Sequence, residues 1–169
     1  RITPRSISEF AELDPASIRN LELLRPLQSD DTGGTLISVI DKTGTPMGSR
    51  MLKRLITHPL KSVETINERL DCVECFKRDV FMRGEVELYL KQIGDIERLI
   101  GRITFERANA RDLNSLKESL DTFPNLIKSI SSVTHTQIQS IASTLVGFEE
   151  VADRIRKTLV DSPPLNIKE

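Results

Sequence analysis

From Asn109 to the end of the chain, apolar residues recur at intervals of three and four. Leu113, Leu116, Leu120 and Phe123 form one run, and Ile138, Ile141, Leu145, Phe148, Ala152, Ile155 and Leu159 form another. This is the period of an α-helix with one buried stripe, not the period-two alternation of a strand. The second run reads as the seam of a single long helix packed lengthwise on another. Pro124 is expected to end the first helix and restart a short one carrying Ile127 and Ile130, because proline inside a helix removes a hydrogen bond and crowds the preceding turn.

The remainder is helical by the same signs. Asp14-Pro15 supplies an N-cap and a proline at the first helical position, where its missing N–H costs nothing. Gln28 to Gly34 is a polar loop, Thr35 to Asp41 a short apolar helix, and Lys42-Thr43-Gly44 a break before Thr45 caps the next helix. There Met47, Met51, Leu52, Leu55 and Ile56 share a face, and His58-Pro59 stops it. Ser62 to Asp79 opens on Ser-Val-Glu-Thr, a capping box with its glutamate one residue early, and carries Val63, Ile66, Leu70, Val73 and Phe76 on one stripe. Glu85 to Ile103 is a further helical stretch with Gly94 and Gly101 as bends or close contacts. Residues 5 to 13 alternate loosely, which suits one short edge strand. The expectation is an all-α fold: a bundle or array of about eight helices, with at most one short N-terminal strand, forming a single domain over residues 1–169.

Charge limits the functions open to such a chain. Its 24 basic residues are matched by 25 acidic ones. A module that binds DNA alone usually carries a basic excess, since phosphate neutralisation supplies most non-specific affinity. Autonomous DNA binding is therefore disfavoured. No apolar run is long enough to span a bilayer and no signal segment is visible, which reads as a cytoplasmic chain. A start at Arg1 and a stop just after Pro163-Pro164 suggest a piece of a longer protein.

Residues able to do chemistry are few. Cys72-Val73-Glu74-Cys75 matches Cys-x-x-Cys, but there is no second cysteine pair, and His58 and His135 show no ligand spacing. The pair falls mid-helix rather than at a strand-to-helix junction, so structural thiols are the better reading. Gly44-Thr45-Pro46-Met47-Gly48-Ser49-Arg50 lacks the glycine spacing and the lysine of a phosphate-binding loop. Arg50, Lys53, Arg54 and Lys61 cluster round this block, either contacting DNA phosphate or an acidic neighbouring domain or forming a solvated face. Glu97 and Arg98 have no nucleophile or base beside them in sequence, and Asp30-Asp31 and Glu149-Glu150 do not support acid–base chemistry. No catalytic, cofactor-binding or metal-binding residue is assigned.

Four blocks carry a resemblance: Leu13 to Leu24, Thr45 to Leu60, Gly94 to Ile103, and Asp161 to Leu165. In this order and at these spacings the chain resembles the core domain of the bacterial MutS DNA mismatch-repair family, from about Leu13 to its C-terminus. The resemblance implies the first half of that core, ending before the lever helices. The parent would also hold a mismatch-reading domain, a connector, a DNA clamp and an ATPase domain. It further implies that ATP and Mg belong to the parent and not to this piece, that mismatched DNA is met through the parent, that the parent is a homodimer, and that this domain couples its ends. Arg50, in the family-like Met-Gly-Ser-Arg block, is expected to make a buried or interdomain contact. The family often has tryptophan where this chain has Leu55, which points to a variant packing there. A helical docking module of an unrelated scaffold and a direct DNA-binding helical domain are the alternative readings; the first needs an exposed apolar groove and the second a basic surface.

Overall fold

A computed structural model describes residues 9–27, 33–160 and 163. Among these there are nine helices, close to the eight expected, and no strand. They are α1 (Pro15–Asn20), α2 (Leu36–Ile40), α3 (Pro46–Thr57), α4 (Val63–Arg78), α5 (Val80–Leu90), α6 (Ile96–Thr104), α7 (Ala110–Ser129), α8 (Thr136–Thr144) and α9 (Glu149–Thr158). No helix among the described residues is long and apolar enough to cross a membrane. The chain divides into two compact units, Arg1–Asp71 and Cys72–Glu169.

In the first unit local capping chemistry sets the boundaries. Asp14 accepts the Ser17 amide at 2.8 Å and caps α1, with Pro15 following. Thr35, only 1% exposed, caps α2 by accepting the Ser38 amide. The amides of Leu36 and Ile37 bond back to the carbonyls of Glu22 and Leu23, tying α2 to the end of the α1 turn. At residues 9–13 the expected edge strand shrinks to one antiparallel bridge between Phe10 and Leu60, with the Phe10 ring edge-on to His58; residues 5–8 lie outside the described residues, as do 28–32 of the polar loop. Ser62 Oγ accepts the Thr65 amide to start α4, and the early Glu64 receives the Ser62 hydroxyl at 2.7 Å.

The second unit is built on α7, a 20-residue helix about 30 Å long at 1.5 Å per residue. α5, α6 and α9 all pack on it. Its buried residues Leu116, Leu120, Phe123 and Leu126 continue the three-four spacing. A full capping box at Asn109 and Asp112 fixes its start. Three expectations are corrected here. Pro124 lies inside α7 and does not end it. Pro124 is itself exposed, and the buried Phe123 and Leu126 on either side of it keep the helix seated against the one lost hydrogen bond. The seam from Ile138 to Leu159 is two helices, because Gly147 adopts φ +85, a conformation that breaks a helix and that glycine takes without strain. The stretch from Glu85 to Ile103 likewise divides at Gly94, whereas Gly101 lies within α6.

On α4 the expected stripe is not the packed one. Val63, Leu70 and Val73 are exposed, and the half-buried face carries Thr65, Ile66, Cys72, Cys75 and Phe76. Met51 on α3 is also exposed.

Candidate functional site

The most specific sequence block, Thr45 to Leu60, folds on itself. Thr45 Oγ1 accepts the Gly48 amide at 3.0 Å, and Pro46 takes the first helical position. A Cβ at Gly48 would stand 3.0 Å from Thr45 Oγ1 and 3.2 Å from Thr43 Cβ, so the glycine is there to let the preceding loop close on the helix. Ser49 donates its hydroxyl to Asp41 at 2.6 Å. The Ser49 and Thr43 hydroxyls, with the Thr43 amide and more distantly Lys53, hold the Asp41 carboxyl below its ordinary range. Every polar group here thus serves the geometry of the turn. Arg50, Lys53, Arg54 and Lys61 are all exposed; for Arg50 this corrects the expectation of burial.

The Gly94 to Ile103 block is a latch onto α7. Ser119, fully buried, accepts the Gly94 amide at 3.0 Å and donates to the Ser115 carbonyl at 2.7 Å. A Cβ on Gly94 would meet Ser115 Oγ at 3.0 Å and Ser119 Oγ at 3.4 Å. Asp95 caps α6 through the Arg98 amide. At the other end Glu106 takes φ +54, and the amides of Glu106 and Arg107 bond back to Ile103 and Arg102, closing the helix with a left-handed turn. Arg102 bridges to the buried Asp112 at 2.6 Å, joining α6 to the start of α7. Arg98, Arg102 and Arg107 line an open groove with Phe105, which is 74% exposed. Glu97 and Arg98 are exposed.

Near the C-terminus the Phe148 ring meets Phe123 edge-on at 5.7 Å, and Arg156 bridges to Asp121 on α7 at 2.7 Å and also pairs with Asp153. These carboxylates, Asp121 first, raise the affinity of Arg156 for its proton. Arg111 donates to the carbonyl of the buried Pro163 at 3.1 Å, holding the Asp161 to Leu165 block against α7 at that residue.

The cysteines are not disulfide-bonded. Both lie on the packed face of α4 against a cluster formed by Met82, Ile130, Ile138 and Ala142. His135 was expected to stand apart, yet the fold brings its Nδ1 to 3.3 Å from Cys72 Sγ, with Gln137 Oε1 at 3.2 Å. A separation of 63 residues hides this meeting from any spacing rule. Among the described residues no group of three or more His, Cys, Asp or Glu is placed to hold a metal ion.

Comparison with known proteins accounts for blocks that are spent on packing. Residues 16–169 match the model of MutS domain III. The chain is 38% identical over 163 residues, 96% of its length, to the DNA mismatch repair protein MutS of Exiguobacterium. It is 38% identical over 169 residues to that of Salinibacter ruber, covering the whole chain, and 39% identical over 168 residues to that of Methanosarcina barkeri, covering 97%. It spans about a fifth of each of these relatives, 19% of their length. With a near-complete family match and identities well above 30% along the whole chain, this protein belongs to the MutS family and corresponds to its domain III.

Proposed function

We propose that this domain is the mechanical coupler of a mismatch-repair ATPase, holding the DNA-reading and nucleotide-hydrolysing ends of its parent in register. The observation that carries the reading is the way unit two is fastened to one helix. α7 is gripped at its start by Arg102–Asp112, in its middle by Ser119–Gly94, and further on by Asp121–Arg156 and Phe123–Phe148. Helices so joined move as a body, and packed bodies switch between discrete arrangements instead of deforming gradually. The catalytic work, with ATP and Mg, and the contact with mismatched DNA are assigned to other parts of the parent, which acts in the cytoplasm as a homodimer. Its neighbouring domains are this domain's partners, and the exposed Phe81, at 91%, and Phe105 are surface for them to cover.

The test is made in the full-length parent. Gly94→Ala wedges α6 away from α7 while touching no ligand. It is expected to leave basal ATP hydrolysis and mismatch affinity within about twofold and to cut the mismatch-dependent change in hydrolysis by about fivefold or more, the span of a typical coupling energy. A normal mismatch response in a parent shown to carry the displaced α6 would overturn the reading.

A further inference from the structure

We infer that Cys72, together with His135 and Gln137, is a modification site: a thiol primed to attack small electrophiles, hydroperoxides foremost. The inference is independent of the coupling role. Cys72 Sγ lies 3.3 Å from His135 Nδ1 and donates toward Gln137 Oε1 at 3.2 Å. A nucleophile within hydrogen-bond reach of a base is the arrangement that generates thiolate at neutral pH. His135 is the N-cap residue of α8 but makes no side-chain cap bond, so its ring serves the sulfur and not the helix. Since both partners belong to the start of this nine-residue helix, the sulfur also sits by its positive end, which favours an anion.

The surroundings leave that charge in control. On α4, the residues one turn from Cys72 are Glu68, Arg69, Cys75 and Phe76, in which one acid and one base offset each other. The other packed elements contribute Met82 and Val86 from α5, and Ile127, Ile130 and Val133 from the end of α7 and the turn after it, with the Arg83 guanidinium of α5 bonded to the Phe76 carbonyl one turn along α4. Cys72 is half-buried and open to a small reagent. Cys75 packs on the same cluster without the imidazole, which makes it an internal control.

With a hydroperoxide, the thiolate electron pair attacks one peroxide oxygen. An S–O bond forms and the O–O bond breaks. Sulfur is oxidised by two electrons and the peroxide is reduced. The His135 imidazolium gives its proton to the departing alkoxide, or to hydroxide when the reagent is hydrogen peroxide, leaving an alcohol or water and a sulfenic acid on Cys72.

The experiment is pulsed alkylation of the chain with iodoacetamide, read at each cysteine by peptide mass spectrometry across about pH 6 to 9, the range where imidazole and thiol change charge. Near pH 6, Cys72 is expected to react about tenfold faster than Cys75, with a shallower rise toward alkaline pH. His135→Gln should remove that advantage near pH 6 yet leave the rate near pH 9 within about twofold, since access to the sulfur is unchanged. Dilute hydrogen peroxide followed by dimedone should tag Cys72 and spare Cys75. Equal rates for the two cysteines near pH 6 in the unsubstituted chain would overturn the inference, and that comparison needs no variant to fold. A His135→Gln chain as reactive near pH 6 as the unsubstituted one would also overturn it.

Discussion

At the scale of single residues, the chain spends its most specific positions on closure. Ser119 is the clearest case, a hydroxyl with no exposure that receives one backbone amide and donates to one carbonyl. Ser119→Ala deprives the Gly94 amide of its acceptor, and thermal or urea unfolding should show a loss of about 1–3 kcal/mol. Asp41 is a second case. Hydrogen bonds from Ser49 and Thr43 depress its folded-state affinity for a proton. The stability it contributes is therefore full above the unfolded carboxyl value, about 3.9, and is lost as pH falls through the lower folded value. Asp41→Asn should weaken protection of the Ser49 amide at neutral pH and flatten its acid-side decline, as read by hydrogen exchange. An unchanged acid profile would count against this role. Capping residues such as Asp14 and Thr45 were legible in the sequence, because a cap acts within three residues. The meeting of Cys72 with His135 and of Gly94 with Ser119 was not, since nothing local encodes which distant side chain arrives.

Among elements, periodicity gave the helices and misjudged their ends. The three-four spacing from Ile138 to Leu159 runs across a break: Ile138 and Ala152 are buried on either side of it, Ile141 is 60% exposed, and the backbone leaves the helix at Gly147. Gly147→Ala places a side chain at positive φ and should cost about 1 kcal/mol, seen as a lower unfolding midpoint. An unchanged midpoint would show that the α8–α9 turn tolerates another path. Pro124 misled in the opposite direction. The sequence rule treats proline as a stop, but α7 carries it between Phe123 and Leu126, both buried, which hold the helix on either side. On α4 three of the five stripe residues chosen by hydrophobicity, Val63, Leu70 and Val73, are exposed, while Thr65 and the two cysteines join Ile66 and Phe76 on the packed side. Moderate polarity in a half-buried face defeats a count of apolar residues.

Across the whole molecule, burial is uneven. Among the described residues, the first unit buries Leu23 and Ile37 of its large apolar side chains, whereas the second buries Met82, Ile93, Leu99, Leu116, Leu120, Phe123, Leu126, Ile130 and Ile138. Sparse cores open first. Hydrogen exchange with increasing denaturant should therefore strip protection from α1 to α3 before α5 to α7, and simultaneous loss would contradict this reading. The all-α class and the family were legible in the sequence, the latter through blocks whose packing duties became plain in three dimensions. The central place of α7 sets one more limit. α5 and α6 come before it in the chain and α9 comes after. Trimming from the front strips the Gly94 clasp, and trimming from the back strips the Phe148 and Arg156 contacts. The smallest portion of this unit that can be cut out and still keep α7 covered thus runs from Val80 to Thr158, and in a nascent chain α7 can settle on α5 and α6 as it emerges but keeps one face bare until α9 follows it out of the ribosome.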